Sequence, residues 1–183
     1  DLKGKRVALI SGTTVGGMDL TEMYYEQMKT DDSLLYLPQS NECGKSTEEM
    51  AELTGLENAE ICTISTACSS ALNSIILGSE MLKRNEVDIV IAGGSEALSR
   101  FHLNGFNTLM VLDKERCRPF DATRAGLNLG EGAAFVVLER DSDKSLAYIS
   151  GYGNRCDAFH QTASSENGEG AYLAMRDALE MAS

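Results

Sequence analysis

Cys68 stands in the segment Thr66-Ala67-Cys68-Ser69-Ser70, between a run that reads as a strand and one that reads as a helix. A thiol placed there is expected in the first turn of the helix, facing backbone N–H groups with no partner inside that helix. Such a positive end favours the thiolate, which is the nucleophilic form of the side chain. Small neighbours on both sides, Ala67, Ser69, Ser70 and Ala71, leave room for a substrate to approach. The arrangement parallels the strand–turn–helix elbow that exposes a nucleophilic serine in hydrolases. The same N–H groups can hold an oxyanion while a thioester carbonyl is attacked. A buried, inert cysteine at a helix start would show the same local pattern, so the elbow alone leaves both readings open.

Other groups that could join such chemistry are few. Cys43, Cys62, Cys117 and Cys156 complete a set of five cysteines with no C-x-x-C pair, so neither a zinc site nor a redox motif is expected. Their odd number points to reduced thiols. Of the two histidines, His160 lies in Asp157-Ala158-Phe159-His160-Gln161-Thr162 and invites the role of general base for Cys68. A helix-end thiolate needs less help from a base, and His160 is not assigned that role. His102 reads as a surface or packing residue.

The elements that must position Cys68 follow from periodicity. Apolar, β-branched runs at 6–11, 61–66, 87–92, 133–139 and 147–152 predict strands. Helices are predicted to about residue 29 from a cap at Asp19 or Thr21, from Ser46 to a stop at Gly55, over 68–84, and from 169 to about 181, with loop over 31–43. The near-continuous hydrophobicity of 87–92 suits a sheet covered on both faces. Strands alternating with helices predict βαβ units, hence an α/β fold of three layers, α/β/α, around a mostly parallel sheet. No linker or internal repeat divides the chain, and only two prolines occur.

Composition narrows the function class. The 183 residues suffice for a sizeable core, and 43% apolar with 24% charged residues is ordinary for a globular domain. A formal net charge of −12 opposes nucleic acid and anionic membrane surfaces as partners. No apolar run approaches the roughly 20 residues of a membrane span. The first residues lead into a strand-like run rather than a signal-peptide core, which favours a cytoplasmic location.

Two further motifs follow the elbow in order. Gly93-Gly94-Ser95-Glu96-Ala97 closes a strand, and Arg118-Pro119-Phe120-Asp121-Ala122-Thr123-Arg124-Ala125-Gly126 precedes Gly130-Glu131-Gly132-Ala133-Ala134. Through essentially its whole length the chain resembles the β-ketoacyl synthases, the thiolase-like condensing enzymes of fatty-acid and polyketide assembly. The resemblance implies that Cys68 accepts an acyl chain from an acyl carrier protein and that decarboxylative condensation with a malonyl carrier follows. It implies a homodimer joined through the strand before the nucleophile, and no cofactor beyond the carrier's phosphopantetheine. Phe106, in Gly105-Phe106-Asn107, matches an aromatic that gates the acyl pocket, although an ordinary core phenylalanine fits the same position. Thr162 matches a threonine near the phosphopantetheine channel. Asp121, Arg124, Gly126, Gly130, Glu131 and Gly132 match a structural loop, in which Asp121 and Arg124 are read as an internal salt bridge.

The pattern is incomplete. Similar enzymes are about twice as long, and their second half carries two catalytic histidines and a lysine. One histidine lies in a Gly-Thr-Gly-Thr setting and the other in an Asn-His setting, and neither occurs here. Residues 1–183 therefore read as a partial N-terminal thiolase-like domain, with the C-terminal half absent and condensation by this chain alone not expected. Met110 and Asp31-Asp32-Ser33 stand where relatives often carry basic carrier-docking residues, and Lys114, Arg116 and Arg118 offer a substitute patch. Leu127 replaces a common phenylalanine. Such departures fit a specialised condensing enzyme rather than the housekeeping one, and a ketosynthase of a polyketide or polyene pathway is the alternative to an enzyme of fatty-acid synthesis. A non-catalytic chain-length partner would typically lack the cysteine, and a Cys68–His160 hydrolase would turn over simple thioesters.

Overall fold

Val7–Gly12 forms β1, whose Ala8, Leu9 and Ile10 are almost wholly removed from solvent, and this strand is the centre of the sheet. In the computed structural model, which describes residues 2–140, 143–160 and 162–183, β2 (Glu60–Ile64) pairs parallel to one edge of β1. The strand β3 (Ile89–Glu96) pairs parallel to the other. Finally β4 (Gly132–Glu139) runs antiparallel to β3, giving the order β2-β1-β3-β4. The sheet is mixed and mostly parallel, as expected from the alternating elements.

Alternation along each strand sends successive side chains to opposite faces. Ala8, Ile10, Val90 and Ala92 gather with Met81 and Leu82 of α3 (Ser70–Lys83) into one apolar cluster. The opposite face meets α2 (Cys43–Thr54), where Thr47 Oγ1 and Thr63 Oγ1 share a 2.6 Å hydrogen bond. A helix on each face makes the three expected layers. Gly55 ends α2 at φ 71°, the left-handed stop predicted for it.

Several details depart from the pattern read above. The stretch 31–43 is not plain loop but contains two short 3-10 turns, Asp32–Leu34 and Leu37–Asn41, between α1 (Met18–Met28) and α2. A further helix, α4 (Arg100–Thr108), stands where the sequence reading predicts none, and Phe101 and Leu103 on it are exposed. Its start is held from outside. Ser99 Oγ accepts from His102 N, while the Glu22 carboxylate on α1 accepts from Arg100 N at 2.7 Å and Phe101 N at 2.8 Å. The β3 strand runs four residues past 92, because β4 offers a ladder to Gly93–Glu96. Gly93 has no room for a side chain there, since an added Cβ would lie 2.7 Å from Phe135 Cα.

The chain divides into two compact units, 1–140 and 141–183. The division follows Arg140, in the polar sequence Asp141-Ser142-Asp143-Lys144-Ser145, of which Asp141 and Ser142 lie outside the described residues. In the second unit, the predicted strand 147–152 joins none of the described ladders. Strand propensity sets a local conformation, whereas a strand also needs a neighbouring backbone. Here that stretch leads into Gly151 and Gly153, which lie so close to the Ala178 and Ala174 carbonyls of α5 (Glu169–Ala182) that neither could carry a Cβ.

Candidate active site

The end of β1 and the start of α3 are in direct contact. A Cβ on Gly12 would fall 2.5 Å from both Ser70 C and Ala71 N, so only glycine lets the strand pass beneath the helix. Thr13 N donates to Ile64 O at 3.1 Å, fixing the end of β2 beside it. Between Ile64 and Ser70 the chain must therefore reverse within five residues. It does so through Ala67, whose φ is +53°. Left-handed backbone costs an L-residue about 1–2 kcal/mol, so other contacts must hold it.

Hydroxyls supply many of those contacts. Ser69 Oγ donates to Thr66 O at 2.8 Å, and Asn73 Nδ2 donates to Thr66 Oγ1 at 2.8 Å. Ser74 Oγ donates to Gly93 O at 2.7 Å and ties the second turn of α3 to β3. This competition of side chains for local backbone shortens both flanking elements. As a result β2 stops at Ile64 rather than 66, and α3 begins at Ser70 with Ser69 as its N-cap rather than at 68. Cys68 is thus one residue ahead of the cap, not inside the first turn, and it is exposed.

That shift also changes the donors near the thiol. Ser69 N and Ser70 N bond back to Thr66 O at 3.4 Å and Ala67 O at 3.1 Å, closing the turn rather than facing outward. The elbow nonetheless presents a thiol on the outside of a tight, strained turn with small neighbours. The remaining cysteines sit differently. Burial, and then Glu60, push the half-buried Cys62 thiol up, and Cys43 and Cys117 are also half-buried. Cys156 is exposed, in the second unit.

Phe106 is half-buried on α4, which begins four residues after β3 at the carboxyl end of the sheet, in the same unit as Cys68. His102 is more than a packing residue. Its Nε2 shares a 2.8 Å hydrogen bond with Thr14 Oγ1 and its Nδ1 a 3.3 Å bond with Ser99 Oγ, so it joins α4 to the segment after β1. Glu96, at the end of β3, accepts from Thr13 Oγ1 at 3.1 Å and Thr14 N at 2.7 Å. This network could not be found from spacing, since its members come from three separate motifs.

The loop before β4 is built by hydrogen bonds, not by the expected Asp121–Arg124 ion pair. Asp121 accepts from Thr123 N and Thr123 Oγ1, which hold its carboxyl below the usual range, while Arg124 Nη1 donates to Asp121 O at 2.9 Å. The carboxyl points into its own turn, out of the guanidinium's way. Glu131 accepts from Leu98 N at 3.1 Å, joining the Gly-Glu-Gly segment to the residues after β3. Arg118 pairs with Asp113 and Glu115 and donates to Thr123 O, so it is engaged within this loop and is a poor member of a docking patch. Leu127 exchanges backbone hydrogen bonds with Val111 and Asp113, a role that any non-proline side chain would allow.

In the second unit, His160 Nδ1 accepts from Thr162 N at 3.2 Å and Ala163 N at 3.2 Å. These bonds hold Nδ1 within its own local turn. Thr162 is exposed beside it, and Gln161 lies outside the described residues. Asp157 accepts from Ser165 and from Gly170 N, and these bonds lower its carboxyl while capping α5. Among the described residues no group of three or more His, Cys, Asp or Glu could hold a metal ion, and no helix is long and apolar enough to cross a membrane.

Residues 1–144 match the family model described as β-ketoacyl synthase, N-terminal domain. The 3-oxoacyl-[acyl-carrier-protein] synthase 2 of Rhizobium meliloti is 39% identical over 134 residues, covering 66% of this chain and 32% of that protein. Nodulation protein E of the same organism is 32% identical over 177 residues, covering 86% and 41%. Among solved structures, the ketosynthase ApeO in complex with its chain length factor ApeC, from Xenorhabdus doucetiae, superposes with a TM-score of 0.84 at 31% identity, over 97% of this chain and 45% of that one. The chain spans less than half the length of each of these relatives.

Proposed function

The chain belongs to the β-ketoacyl synthase family, and from that premise we propose that it forms part of an acyltransferase condensing an acyl thioester with malonyl-acyl carrier protein. The observation that carries this reading is the exposed Cys68 on a turn strained at Ala67, between the end of β2 and the cap of α3. The Cys68 thiolate attacks the acyl thioester carbonyl, the carrier's phosphopantetheine thiol leaves, and the acyl chain remains on sulfur. Malonyl-carrier then loses carbon dioxide, and the resulting carbanion attacks the acyl-cysteine and releases the thiolate. Donors for the enolate and for the second oxyanion would come from the part of the protein that residues 1–183, a partial N-terminal portion, do not include. Phe106 would line the acyl pocket and Thr162 would meet the phosphopantetheine arm, with no further cofactor.

Fatty-acid synthesis is the pathway favoured by the 3-oxoacyl-[acyl-carrier-protein] synthase relatives. The likeness to a ketosynthase solved with its chain length factor favours a polyketide-type setting instead, again with Cys68 as acceptor. Reduced thiols suit a cytoplasmic enzyme in either case. Limiting iodoacetamide near neutral pH, followed by peptide mapping, tests the nucleophile. Cys68 is expected to label ahead of Cys156, the other exposed thiol, and ahead of Cys62, whose thiol burial disfavours as thiolate. Preferential labelling of Cys156 would count against the assignment.

The partner at the sheet edge is a second copy of this chain. β2 is an edge strand, and an unpaired edge is a template for another strand. Because Ile64 O points toward β1, alternation turns the Thr63 N–H and C=O outward. Thr63→Pro therefore removes an outward donor while sparing the β1 ladder. It also ends the Thr63 hydrogen bond to Thr47, so Thr63→Val, which loses only that bond, is the control. Sedimentation of the complete protein is expected to shift from dimer toward monomer with the proline change. An unaltered dimer would place the interface elsewhere.

A further inference from the structure

We propose that Ser70 is a positioning residue for Cys68, its hydroxyl acting as a staple across the strained turn, an inference that rests on Cys68 being the acyl acceptor. Ser70 is 4% exposed, and its hydroxyl uses both of its capacities on the same two residues. Ser70 Oγ accepts from Thr66 N at 2.8 Å and donates to Ala67 O at 2.6 Å. Those two groups flank the Ala67 φ torsion, so one hydroxyl clamps the residue that has left the ordinary backbone regions. Ser70 N adds a second donor to Ala67 O at 3.1 Å.

The clamp itself cannot drift. Ser70 C sits within 2.5 Å of where a Gly12 side chain would begin, so the end of β1 backs the residue. Ser69 and Asn73 hold Thr66 from the solvent side. Cys68 follows Ala67 directly, so the direction in which its Cβ leaves the turn depends on the Ala67 torsion. Without the staple, Ala67 relaxes to negative φ and the thiol turns away from its outward setting. Ser70 touches neither substrate nor sulfur in this account. It acts through Ala67.

The distinguishing test is rescue at position 67. Glycine accepts positive φ without strain, so it restores the turn when the staple is missing. Second-order rate constants for iodoacetamide at Cys68 are measured on the 183-residue chain, with Cys156 as internal reference and a thermal midpoint for each variant. Ser70→Ala is expected to slow Cys68 about tenfold with Cys156 unchanged, and Ser70→Thr, which keeps the hydroxyl, to stay near wild type. Ala67→Gly in the Ser70→Ala background is expected to recover most of the lost rate. A Ser70→Ala chain as reactive at Cys68 as wild type overturns the proposal, and so does a double variant as slow as the single one. Should Ser70→Ala fail to fold, the double variant still decides, since the staple predicts a folded chain with a reactive Cys68. If instead wild-type Cys68 is no faster than Cys156, it is the nucleophile assignment that fails, a result separable from the loss of rescue.

Discussion

Incubated with acyl-carrier and malonyl-carrier proteins, the 183-residue chain is expected to form no β-ketoacyl product above background. Condensation needs a thiolate, donors for the enolate left by decarboxylation, and an oxyanion hole for the second addition. In the proposed reaction Cys68 is the attacking sulfur. The chain's two histidines are committed elsewhere: His102 to Thr14 and Ser99, and His160 through Nδ1 to the backbone of Thr162 and Ala163. The Ser69 and Ser70 N–H groups close their own turn. Losing one oriented donor costs roughly 2.7–4 kcal/mol, about a hundred- to a thousandfold in rate. Two such losses, even if not additive, put turnover below detection. Mass spectrometry of the carrier-bound products checks this, and robust β-ketoacyl product would mean that a group within these residues supplies the donors proposed to lie outside them.

Cys68→Ala is expected to abolish covalent loading by an acyl thioester, whereas Cys156→Ala leaves it unchanged. Removing a nucleophile takes away the bond-forming atom rather than one stabilising contact, and in enzymes whose groups act as a unit the rate falls by about six orders of magnitude. Exposure alone would predict comparable losses at the two positions, since both thiols are open to solvent. The elbow predicts a difference, because only Cys68 is presented by a turn tied to β1, β3 and α3. Intact-mass measurement of the two variants after exposure to acyl-pantetheine separates these outcomes.

Most of the layered fold is legible in the residues themselves. Val87–Ala92 and Val7–Ser11 are apolar and β-branched enough to demand burial on both faces, and Gly55 marks its helix stop by type. What escapes a local reading depends on neighbours distant in sequence. The helix α4 takes part of its start from Glu22, 78 residues before Arg100, beside the local cap at Ser99. The stretch 147–152 has strand character but joins no described ladder, because propensity does not provide a partner. The division after Arg140 leaves a trace only in the polar run Asp141-Ser142-Asp143-Lys144, which is short for a linker.

The proposed nucleophile, Cys68, is legible from its small neighbours, but its exact setting is not. A positive φ at Ala67 cannot be inferred from alanine, which avoids that region unless it is held there. The available signal is the density of hydroxyls in Thr66, Ser69 and Ser70, residue types that bond local backbone and so shorten a strand or helix they border. That signal accounts for β2 ending at Ile64 and α3 beginning at Ser70. Asp121 and Arg124 show the opposite error. Opposite charges three residues apart invite an ion pair, yet Thr123 lies nearer to the Asp121 carboxyl and occupies it.

The central claim is that Cys68 carries the acyl group, and mapping that group on the wild-type chain tests it most directly. The protein is exposed to an acyl thioester, quenched at low pH to preserve thioesters, digested, and sequenced by tandem mass spectrometry. The account predicts a single acyl adduct on the peptide containing Thr66-Ala67-Cys68-Ser69-Ser70, cleaved by neutral hydroxylamine. An adduct on Cys156 or on a lysine, with Cys68 unmodified, would contradict it.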